Sequence, residues 1–542
     1  MIEAGGETEF TDTLDAVIVG AGFSGLYMLH RLRSQGLSAR VFEAGGGVGG
    51  TWYWNRYPGA RVDIESLEYA YTFSHELDED WRWSERYSTQ PELLRYFEHV
   101  ADRFDLKRDI RFETRVTAAT FDEDANRWTI VSDRGDRVSA KFCVMATGVL
   151  SVTKDPDFPG VETFAGKSYH TGRWPHEGVD FSGQRVAVVG TGSSAIQTIP
   201  QIAAQAAHLT VFQRTANYSL PAHNGPLTDE AIEAWKATKH DRRRSAQGMG
   251  FAIHQADESS VSALEVSEDE RRRVYEDRWA RGGFSFGGSF GDIILDAEAN
   301  HTASEFIRER VRDIVRDPAV AERLAPKDYP MFTKRLCIDT GYFHTFNRDN
   351  VSLVDLRATP IEAITPRGAR TSEGEFEFDS IVYAIGFDAM TGALGKIDIR
   401  GRGGVKLKDK WEDGPKTYLG LSIAGFPNLF IVTGPGSPSV LCNMAVAIEQ
   451  HVNWISDCIG WMGARRVAAI EATAEAEEAW VAHVNEVAHG TLYPQANSWY
   501  MGANIPGKPR VFMPYIGGFP VYRQTCDDVA AKGYEGFSLS GA

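Results

Sequence analysis

The stretch Leu14-Asp15-Ala16-Val17-Ile18-Val19-Gly20-Ala21-Gly22-Phe23-Ser24-Gly25 decides the fold of the first part of the chain. A short segment rich in β-branched residues runs directly into three glycines spaced as G-x-G-x-x-G, and a periodic apolar segment follows up to Gln35. The glycines of such a turn allow the tight bend, the close approach of backbone to a diphosphate and the close packing of helix on strand. A second predicted strand, residues 39–42, ends at Glu43. The sequence therefore predicts a βαβ dinucleotide-binding unit here.

A second unit of the same kind occurs later in the chain. Residues 185–189 predict a strand, Gly190-Thr191-Gly192-Ser193-Ser194-Ala195 follows as the turn, and a helical stretch extends to about residue 207. Pro200 lies inside that stretch and should kink or restart the helix. Residues 209–212 predict the next strand. Because each unit is complete, we expect two bound nucleotides and not one split fold.

The residue at the end of each second strand distinguishes the two nucleotides. Glu43 follows Gly20 by 23 positions, and a carboxylate there accepts hydrogen bonds from a ribose 2′-hydroxyl and repels a 2′-phosphate. Arg214 follows Gly190 by 24 positions and is followed by Thr215. A guanidinium and a hydroxyl suit a 2′-phosphate, although a surface ion pair is the other interpretation of Arg214. The first unit is expected to bind FAD, with NAD as the alternative, and the second NADPH.

Composition and charge exclude several classes of protein. The chain has 542 residues, of which 43% are hydrophobic and 24% charged, as in ordinary globular proteins. Its net charge of −17 argues against nucleic-acid binding. The five cysteines include no C-x-x-C pair and no zinc-ligand spacing, which argues against a dithiol flavoprotein reductase, predicts no zinc site and fits a reducing cytosol. With no apolar run of about 18 residues and an acidic N-terminus, the expected location is cytoplasmic, away from membranes.

The two units define the expected domain organisation. We predict an α/β fold of two Rossmann-like domains, an FAD-binding domain of residues 1–150 plus 388–542 and an NADP-binding domain of residues 151–387. A charged, helical insertion is expected at about 223–330 within the second domain, with a mobile glycine-rich loop at 282–291. A flavin with NADPH implies redox chemistry, and molecular oxygen is the natural acceptor because no metal cluster or dithiol is predicted.

One further motif resembles a known family. Phe164-Ala165-Gly166-Lys167-Ser168-Tyr169-His170-Thr171-Gly172-Arg173-Trp174-Pro175 resembles the fingerprint F-x-G-x-x-x-H-x-x-x-W-P of type I Baeyer–Villiger monooxygenases, and it lies just before the second glycine-rich turn. The resemblance extends over residues 15–537 and includes the stretches 49–63, 333–350, 434–444 and 498–504. It is closest to the phenylacetone and steroid monooxygenases. The fingerprint residues are Phe164, Gly166, His170, Trp174 and Pro175.

The resemblance, together with the two turns, implies which residues contact the cofactors. The residues expected to contact FAD are Gly20, Gly22, Phe23, Ser24, Gly25, Glu43, Gly50, Thr51, Trp52, Asp63, Tyr69, Val116 and Met444. The residues expected to contact NADPH are Arg61, Gly190, Thr191, Gly192, Ser193, Ser194, Gln197, Arg214, Thr215, Lys334, Arg335 and Trp499. Ala384-Ile385-Gly386 departs from the usual Ala-Thr-Gly of the family, whereas Ala146-Thr147-Gly148 matches it.

The resemblance also implies the reaction, which is oxygen insertion beside a ketone carbonyl through a C4a-peroxyflavin to give an ester or lactone. Arg335 is expected to act beside the flavin, with Asp63 as its paired carboxylate. His170 is expected to couple the two domains, and Trp499 to lie on a mobile loop. The substrate pocket is expected to include Val440, Leu441, Cys442 and Met444, whose apolar side chains favour bulky aryl-alkyl, cyclic or steroid-like ketones.

Other interpretations remain open at this point. Asp63 could cap a helix, His170 could be structural and Trp499 could belong to a core. The chain could be an N- or S-oxygenating flavin monooxygenase, or a non-catalytic dinucleotide-binding sensor. The expected partners are a small ketone and oxygen, with no nucleic acid and no membrane, and the expected assembly is a monomer or a weak homo-oligomer.

Overall fold

The structure is a computed structural model that describes residues 10–541. Most of the acidic N-terminal stretch, for which no targeting signal is expected, lies outside the described residues. Across the described part of the chain, no helix combines the length and apolar character needed to cross a membrane.

Strands are numbered in chain order. They are β1 (Asp12–Val19), β2 (Ala39–Phe42), β3 (Ile110–Arg111), β4 (Val116–Asp122), β5 (Arg127–Ser132), β6 (Arg137–Met145), β7 (Lys167–His170), β8 (Arg185–Val189), β9 (His208–Gln213), β10 (Ser219–Pro221), β11 (Cys337–Asp339), β12 (Val351–Asp355), β13 (Ile361–Thr365), β14 (Gly368–Thr371), β15 (Gly374–Glu377), β16 (Ser380–Tyr383), β17 (Asp398–Arg400), β18 (Leu429–Ile431), β19 (Val467–Ala472) and β20 (Phe537–Gly541).

Helices are numbered in the same way. They are α1 (Phe23–Ser34), α2 (Thr51–Trp54), α3 (His75–Asp80), α4 (Gln90–Arg103), α5 (Ser193–Ala203), α6 (Asp229–Gln247), α7 (Glu268–Arg281), α8 (Ala297–Ile314), α9 (Pro318–Leu324), α10 (Tyr342–Thr345), α11 (Gly392–Gly395), α12 (Leu407–Lys410), α13 (Met444–Arg465), α14 (Ala474–His489) and α15 (Phe519–Ala531).

The first glycine-rich turn lies in the larger sheet. Its strand order is β17-β4-β5-β6-β1-β2-β3, with β18 also paired to β6. β1 runs parallel to β2 and β6, whereas β5 runs antiparallel to β4 and β6. Strands β17 and β18, from the second half of the chain, pair with β4 and β6, so segments far apart in the sequence complete one sheet. β1 thus has parallel neighbours on both sides, and the turn after it opens at the carboxyl edge where ligands bind in such sheets.

The second glycine-rich turn lies in a smaller, wholly parallel sheet. Its order is β12-β9-β8-β16-β7. The fingerprint strand β7 forms one edge and pairs with β16, which places His170 beside Tyr383 at the carboxyl end. α5 follows β8 and continues through Pro200 to Ala203, so the helix does not restart at the proline. Because β8 lies between β16 and β9, its turn again opens at a switch between neighbouring strands.

The helical insertion expected within the second domain also contacts the first. Arg243 of α6 donates two hydrogen bonds to Asp78 of α3, at 2.6 and 2.7 Å. Lys239 of α6 is buried beside them, 3.0 Å from Glu79. The Glu68 carboxylate accepts hydrogen bonds from the backbone N–H groups of His254 (2.7 Å) and Gln255 (3.1 Å). These contacts tie the insertion to residues 68–80 of the first domain.

Three clusters of buried hydrophobic residues show how the insertion and the two sheets pack. The largest cluster joins α1, α4 and α13 to apolar residues of the insertion, among them Tyr275, Phe286 and Phe306. A second cluster lies under α5 and takes in the end of α8 and α9. A third fills the other face of the larger sheet around Trp128. The insertion therefore bridges the two nucleotide-binding units, and any site between them has insertion residues in its wall.

Candidate active site

The first glycine-rich turn forms a cradle that has no room for side chains. A Cβ atom added to Gly25 would lie 1.8 Å from the Gly20 carbonyl oxygen, and one added to Gly50 would lie 2.8 Å from the Gly22 Cα. No side chain caps the N-terminus of α1, whose cap residue is Gly22. Unpaired N–H groups at a helix start attract phosphate, so this cradle fits the diphosphate of a dinucleotide.

Glu43 lies beside that cradle and is almost completely buried. Its two carboxylate oxygens accept backbone N–H groups from Ala21 and Gly45, both at 2.7 Å. Burial raises the pKa of Glu43, and these two hydrogen bonds oppose the rise. Each carboxylate oxygen can accept a second hydrogen bond, which matches the expected ribose hydroxyls.

The second cradle repeats the geometry at β8. Gly190 has a φ of +115°, and a Cβ there would lie 2.4 Å from the Ala384 carbonyl oxygen. Gly192 precedes α5 with no side-chain cap, and Ser193 is exposed at the first helical position. Thr191 donates to the Thr215 carbonyl at 2.7 Å, which ties the cradle to the end of β9. Backbone N–H groups and exposed hydroxyls here fit a second diphosphate.

A cluster of cations lies beside the second cradle. Arg214 is exposed, and none of the ion pairs found in residues 10–541 includes it. Burial and the charge of Arg214 lower the pKa of Lys334 to about 8. They also lower the pKa of Lys154. Cations that repel one another in this way are stabilised by an anion, so the cluster fits a 2′-phosphate.

Arg335 occupies the space between the two units, and its guanidinium is held by two segments of the chain. Its Nε and Nη2 atoms donate to one oxygen of Asp63, at 2.9 and 2.8 Å. Its Nη1 atom donates to the Val440 carbonyl at 2.8 Å. Burial works to lower the pKa of Arg335, but the Asp63 carboxylate more than offsets it, so the pKa lies above its usual value. The site therefore holds a permanent cation.

The expected substrate loop contacts this cation through its backbone. Val440 and Leu441 are buried and belong to the main core cluster. Cys442 instead packs in a small cluster with Ala252 and Phe519, as a buried apolar group. Met444 is half-buried at the start of α13, where Asn443 caps the helix. The loop thus gives Arg335 one carbonyl, next to side chains that are buried and apolar.

The fingerprint lies at the edge of the smaller sheet. His170 is buried, its Nδ1 accepts the Gly172 N–H at 3.0 Å, and burial and Arg173 lower its pKa to about 4. Trp174 is buried against Tyr169, with ring centres 5.4 Å apart. A Cβ on Gly166 would lie 2.5 Å from the Asp379 carbonyl. These residues shape the chain that enters the second unit and do not reach Asp63 or Arg335.

Other expected cofactor residues are engaged with the protein. The Gln197 amide accepts from the Tyr57 hydroxyl (2.8 Å) and donates to the Arg61 carbonyl (3.0 Å), which joins α5 to the first domain. The Arg61 guanidinium pairs with Glu85 at 3.3 Å. The Trp52 indole donates to the Tyr69 hydroxyl at 3.3 Å. Val116 is buried at the start of β4, and Thr51 is exposed at the start of α2.

Two aromatic residues beside Arg335 were missed by sequence reasoning. The Arg335 guanidinium carbon lies 4.9 Å from the ring centre of Phe284, in the insertion. Tyr500 follows the half-buried Trp499, and their ring centres lie 4.3 Å apart. Burial raises the pKa of Tyr500 to about 12, and the nearby charge of Arg335 opposes that rise. The glycine-phenylalanine composition of residues 282–291 was the only available signal for Phe284, and its spacing carries no motif.

Comparison with known proteins agrees with this geometry. The sequence profile of the pyridine nucleotide-disulphide oxidoreductases matches residues 17–274. A protein of Pseudooceanicola batsensis named Baeyer-Villiger monooxygenase is 44% identical over 97% of both chains. An acetone monooxygenase (methyl acetate-forming) of Gordonia is 43% identical over 98% of this chain and 100% of its own. The structure of an oxidised steroid monooxygenase bound to NADP superposes with a TM-score of 0.93 at 54% identity, covering 98% of this chain and 100% of its own.

The chain belongs to the type I Baeyer–Villiger monooxygenases. This membership confirms the family and the α/β fold class expected from the sequence. It also confirms the enzyme class and the use of FAD and NADPH that characterise the family. The roles of individual residues and the domain boundaries stay predictions.

Proposed function

We propose that this Baeyer–Villiger monooxygenase converts a ketone, oxygen, NADPH and a proton into an ester or lactone, NADP⁺ and water. The observation that carries the proposal is the buried Arg335 cation, held between Asp63 and the Val440 carbonyl. In this proposal residues 1–150 and 388–542 hold FAD, and residues 151–387 hold NADPH through the second cradle and the Arg214–Lys334 cluster.

The chemistry that bound FAD supplies is acceptance of a hydride from NADPH and activation of molecular oxygen. The protein must then stabilise the negative charge that develops when the ketone carbonyl is attacked. A guanidinium has five N–H groups, and three of them are occupied by Asp63 and Val440. The N–H groups outside these three bonds also lie near the Tyr500 hydroxyl. Donation from them to the developing oxyanion is the arrangement that lowers such a barrier.

Asp63 orients Arg335 and favours its charged form. Both of its hydrogen bonds reach the same side of the guanidinium, and the Val440 carbonyl accepts from the Nη1 atom. Val440 and Leu441, on the segment that holds the guanidinium, are buried in the apolar core, and a charge acts more strongly where water is excluded.

The substrate class proposed is bulky hydrophobic ketones, in preference to small polar ones. The apolar loop at residues 439–444 supports this preference, because a larger apolar substrate buries more surface. The named relatives include both an acetone and a steroid monooxygenase, so family membership alone does not set the size of the ketone. A cytoplasmic monomer or weak homo-oligomer stays a prediction.

A substrate panel tests the proposal. The purified holoenzyme is incubated with NADPH and, separately, with phenylacetone, a steroid methyl ketone, cyclohexanone, acetone, a tertiary amine and a sulfide, and products are identified by mass. Ester or lactone from the larger ketones is expected. Turnover of the amine or sulfide without any ester would instead identify an N- or S-oxygenase, and failure to oxidise NADPH would identify a non-catalytic sensor. A higher kcat/KM for acetone than for phenylacetone would contradict the size preference alone.

A further inference from the structure

The guanidinium of Arg335 is held within its plane but needs a further contact above it. The hydrogen bonds to Asp63 and to the Val440 carbonyl run along N–H directions, and all N–H groups of a guanidinium lie in its plane. Such bonds resist sliding within the plane far better than tilting out of it. A group packed on the face of the guanidinium would fix the remaining direction.

The guanidinium lies over the ring of Phe284, which adds a contact that none of these hydrogen bonds provides. Its centre lies 4.9 Å from the guanidinium carbon, and the side chain is buried. A cation over the face of an aromatic ring is attracted by the negative electrostatic potential of that face, and the attraction is larger where water is excluded. Phe284 therefore meets the geometry for both packing and electrostatic attraction.

The backbone that carries Phe284 is tightly constrained. The residue lies in the short 3-10 segment Gly283–Gly288, directly after α7. Gly282 and Gly283 have positive φ angles of 72° and 57°, which suit glycine. A Cβ on Gly283 would lie 2.0 Å from the Tyr87 hydroxyl, and one on Gly282 would lie 2.4 Å from the Pro221 carbonyl. The turn therefore packs closely against Pro221 and against Tyr87, which lies in residues 85–89 of the first domain.

The same strip of the first domain also positions Asp63. Arg86 pairs with Glu65 at 2.6 Å and donates to the Arg281 carbonyl at 3.1 Å, just before the turn. The Val62 N–H donates to the Ser88 carbonyl at 3.1 Å, next to Asp63. Residues 85–89 therefore contact both the chain next to Asp63 and the turn that carries Phe284, and so fix the positions of these two partners of Arg335 relative to each other.

We propose that Phe284 is a positioning residue for the Arg335 cation, supplied by the helical insertion to keep the guanidinium aimed at the reacting oxygen. The inference rests on the function proposed above and adds a third partner to Asp63 and Val440. It gives the insertion a direct part in the oxygen-insertion step, although the insertion contains none of the expected cofactor residues.

The test compares three variants of the holoenzyme on a ketone that the wild type converts. Phe284→Leu keeps an apolar side chain but removes the ring, and Phe284→Tyr keeps the ring. For Phe284→Leu we expect ester formed per NADPH consumed to fall about threefold to tenfold, with a matching rise in hydrogen peroxide. The rate of FAD reduction by NADPH should not change. Phe284→Tyr should restore most of the ester yield.

Phe286→Leu is the matched control. Phe286 belongs to the same turn and is fully buried, but its ring packs against Tyr275 and Phe306 with centres 5.2 and 5.8 Å apart. Its loss should lower the melting temperature because a core cavity forms, while the ester yield per NADPH stays at the wild-type value. An equal fall in ester yield for Phe284→Leu and Phe286→Leu would show that only general stability is at work, and would overturn the proposal.

A measurement that needs no turnover provides a separate readout. An arginine-selective dicarbonyl reagent, followed by peptide mass analysis, should label Arg335 faster in Phe284→Leu than in the wild type or in Phe286→Leu. An unchanged labelling rate together with a wild-type ester yield in Phe284→Leu would refute the inference. Because labelling does not depend on a ketone, this arm distinguishes failure of the inference from failure of the proposed function, which would appear as a wild type that forms no ester.

Discussion

At the scale of single residues, Arg335 should separate the two halves of the reaction. Hydride transfer to FAD needs no stabilised oxyanion, whereas oxygen insertion does, so Arg335→Ala should spare the first and impair the second. Loss of one preorganised charge partner typically costs about 10²–10³ in rate. Stopped-flow absorbance follows FAD reduction, and product analysis follows ester and hydrogen peroxide. Normal ester yield from Arg335→Ala would remove this residue from the mechanism.

Arg214 and Lys334 should control the choice between NADPH and NADH. Arg214→Ala removes a charge-assisted phosphate contact worth about 1.5–3 kcal/mol, so the KM for NADPH should rise roughly tenfold to a hundredfold. The KM for NADH, which has no 2′-phosphate, serves as the internal control and should not change. Equal changes in KM for both nucleotides would show that Arg214 stabilises the fold and does not recognise the 2′-phosphate.

The same pair predicts a pH dependence. Lys334 has a pKa lowered to about 8, so it loses its charge as the pH rises through 8 and the KM for NADPH should increase. Removing Arg214 removes one cause of the lowering, so the Lys334 pKa should rise in Arg214→Ala. The pH at which the KM increases should therefore move upward in this variant, measured as KM for NADPH from pH 6.5 to 9.5. A downward move would mean that Lys334 is not the titrating group.

The sequence predicts roles for residues that belong to local motifs, and these roles stay predictions. The glycines of both cradles, Glu43 and Arg214 follow from spacing, and Arg335 with Asp63 from the family resemblance, and the structure brings this last pair into contact. Phe284 and Tyr500 could not be predicted, because they reach Arg335 from segments far away in the sequence and carry no motif. Their position depends on how whole segments pack, which spacing does not encode.

At the scale of helices and strands, the contact between α1 and β1 should be the most sensitive to added volume. A Cβ on Gly25 would lie 1.8 Å from the Gly20 carbonyl, a distance that only movement of the backbone can relieve. We expect Gly25→Ala to displace the start of α1 and to lose FAD, measured as flavin absorbance per protein after desalting. Gly463→Ala is the matched control, because Gly463 is exposed near the end of α13 with nothing within 4 Å of its added Cβ. That change should keep FAD and stabilise the helix by about 0.5–1 kcal/mol.

Element positions were predicted well where the hydrophobic pattern is regular. Residues 39–42 and 185–189 form β2 and β8 as expected. The contacts of the insertion with the first domain were not predicted, because its charged helices show no pattern that selects these partners. The choice is made by individual pairs such as Arg243 with Asp78 and by the Glu68 carboxylate, which only the folded chain brings together.

At the scale of the whole molecule, the segment around Trp499 is hydrogen-bonded to both predicted crossings between the two domains. Lys508 donates to Asp388 at 2.6 Å and to the Ala389 carbonyl at 2.9 Å, where the chain returns to the first domain. Lys154 lies where the chain is predicted to leave the first domain, and it donates to the Asn504 carbonyl at 2.8 Å. The segment that brings Tyr500 to Arg335 therefore depends on how the two domains are placed.

Removing one of these hydrogen bonds should let the segment around Trp499 move away from the two crossings more often, without changing Arg335 itself. Lys508→Met removes a hydrogen bond between charged groups, which contributes about 1.5–3 kcal/mol, so the open population should rise roughly tenfold or more. Trypsin reports this opening by cleavage after the exposed Arg510, because Lys508 precedes a proline and is itself a poor site. The rate of that cleavage should rise with the open population, since opening is fast relative to cleavage at low protease. Lys532→Met, which breaks the exposed ion pair with Glu535, should leave the cleavage rate unchanged.

The same variant should also change the products of the reaction. More of the NADPH consumed by Lys508→Met should yield hydrogen peroxide, because water enters the space around Arg335 when Tyr500 moves away. Faster cleavage with unchanged coupling would show that this segment closes independently of the oxygen-insertion step.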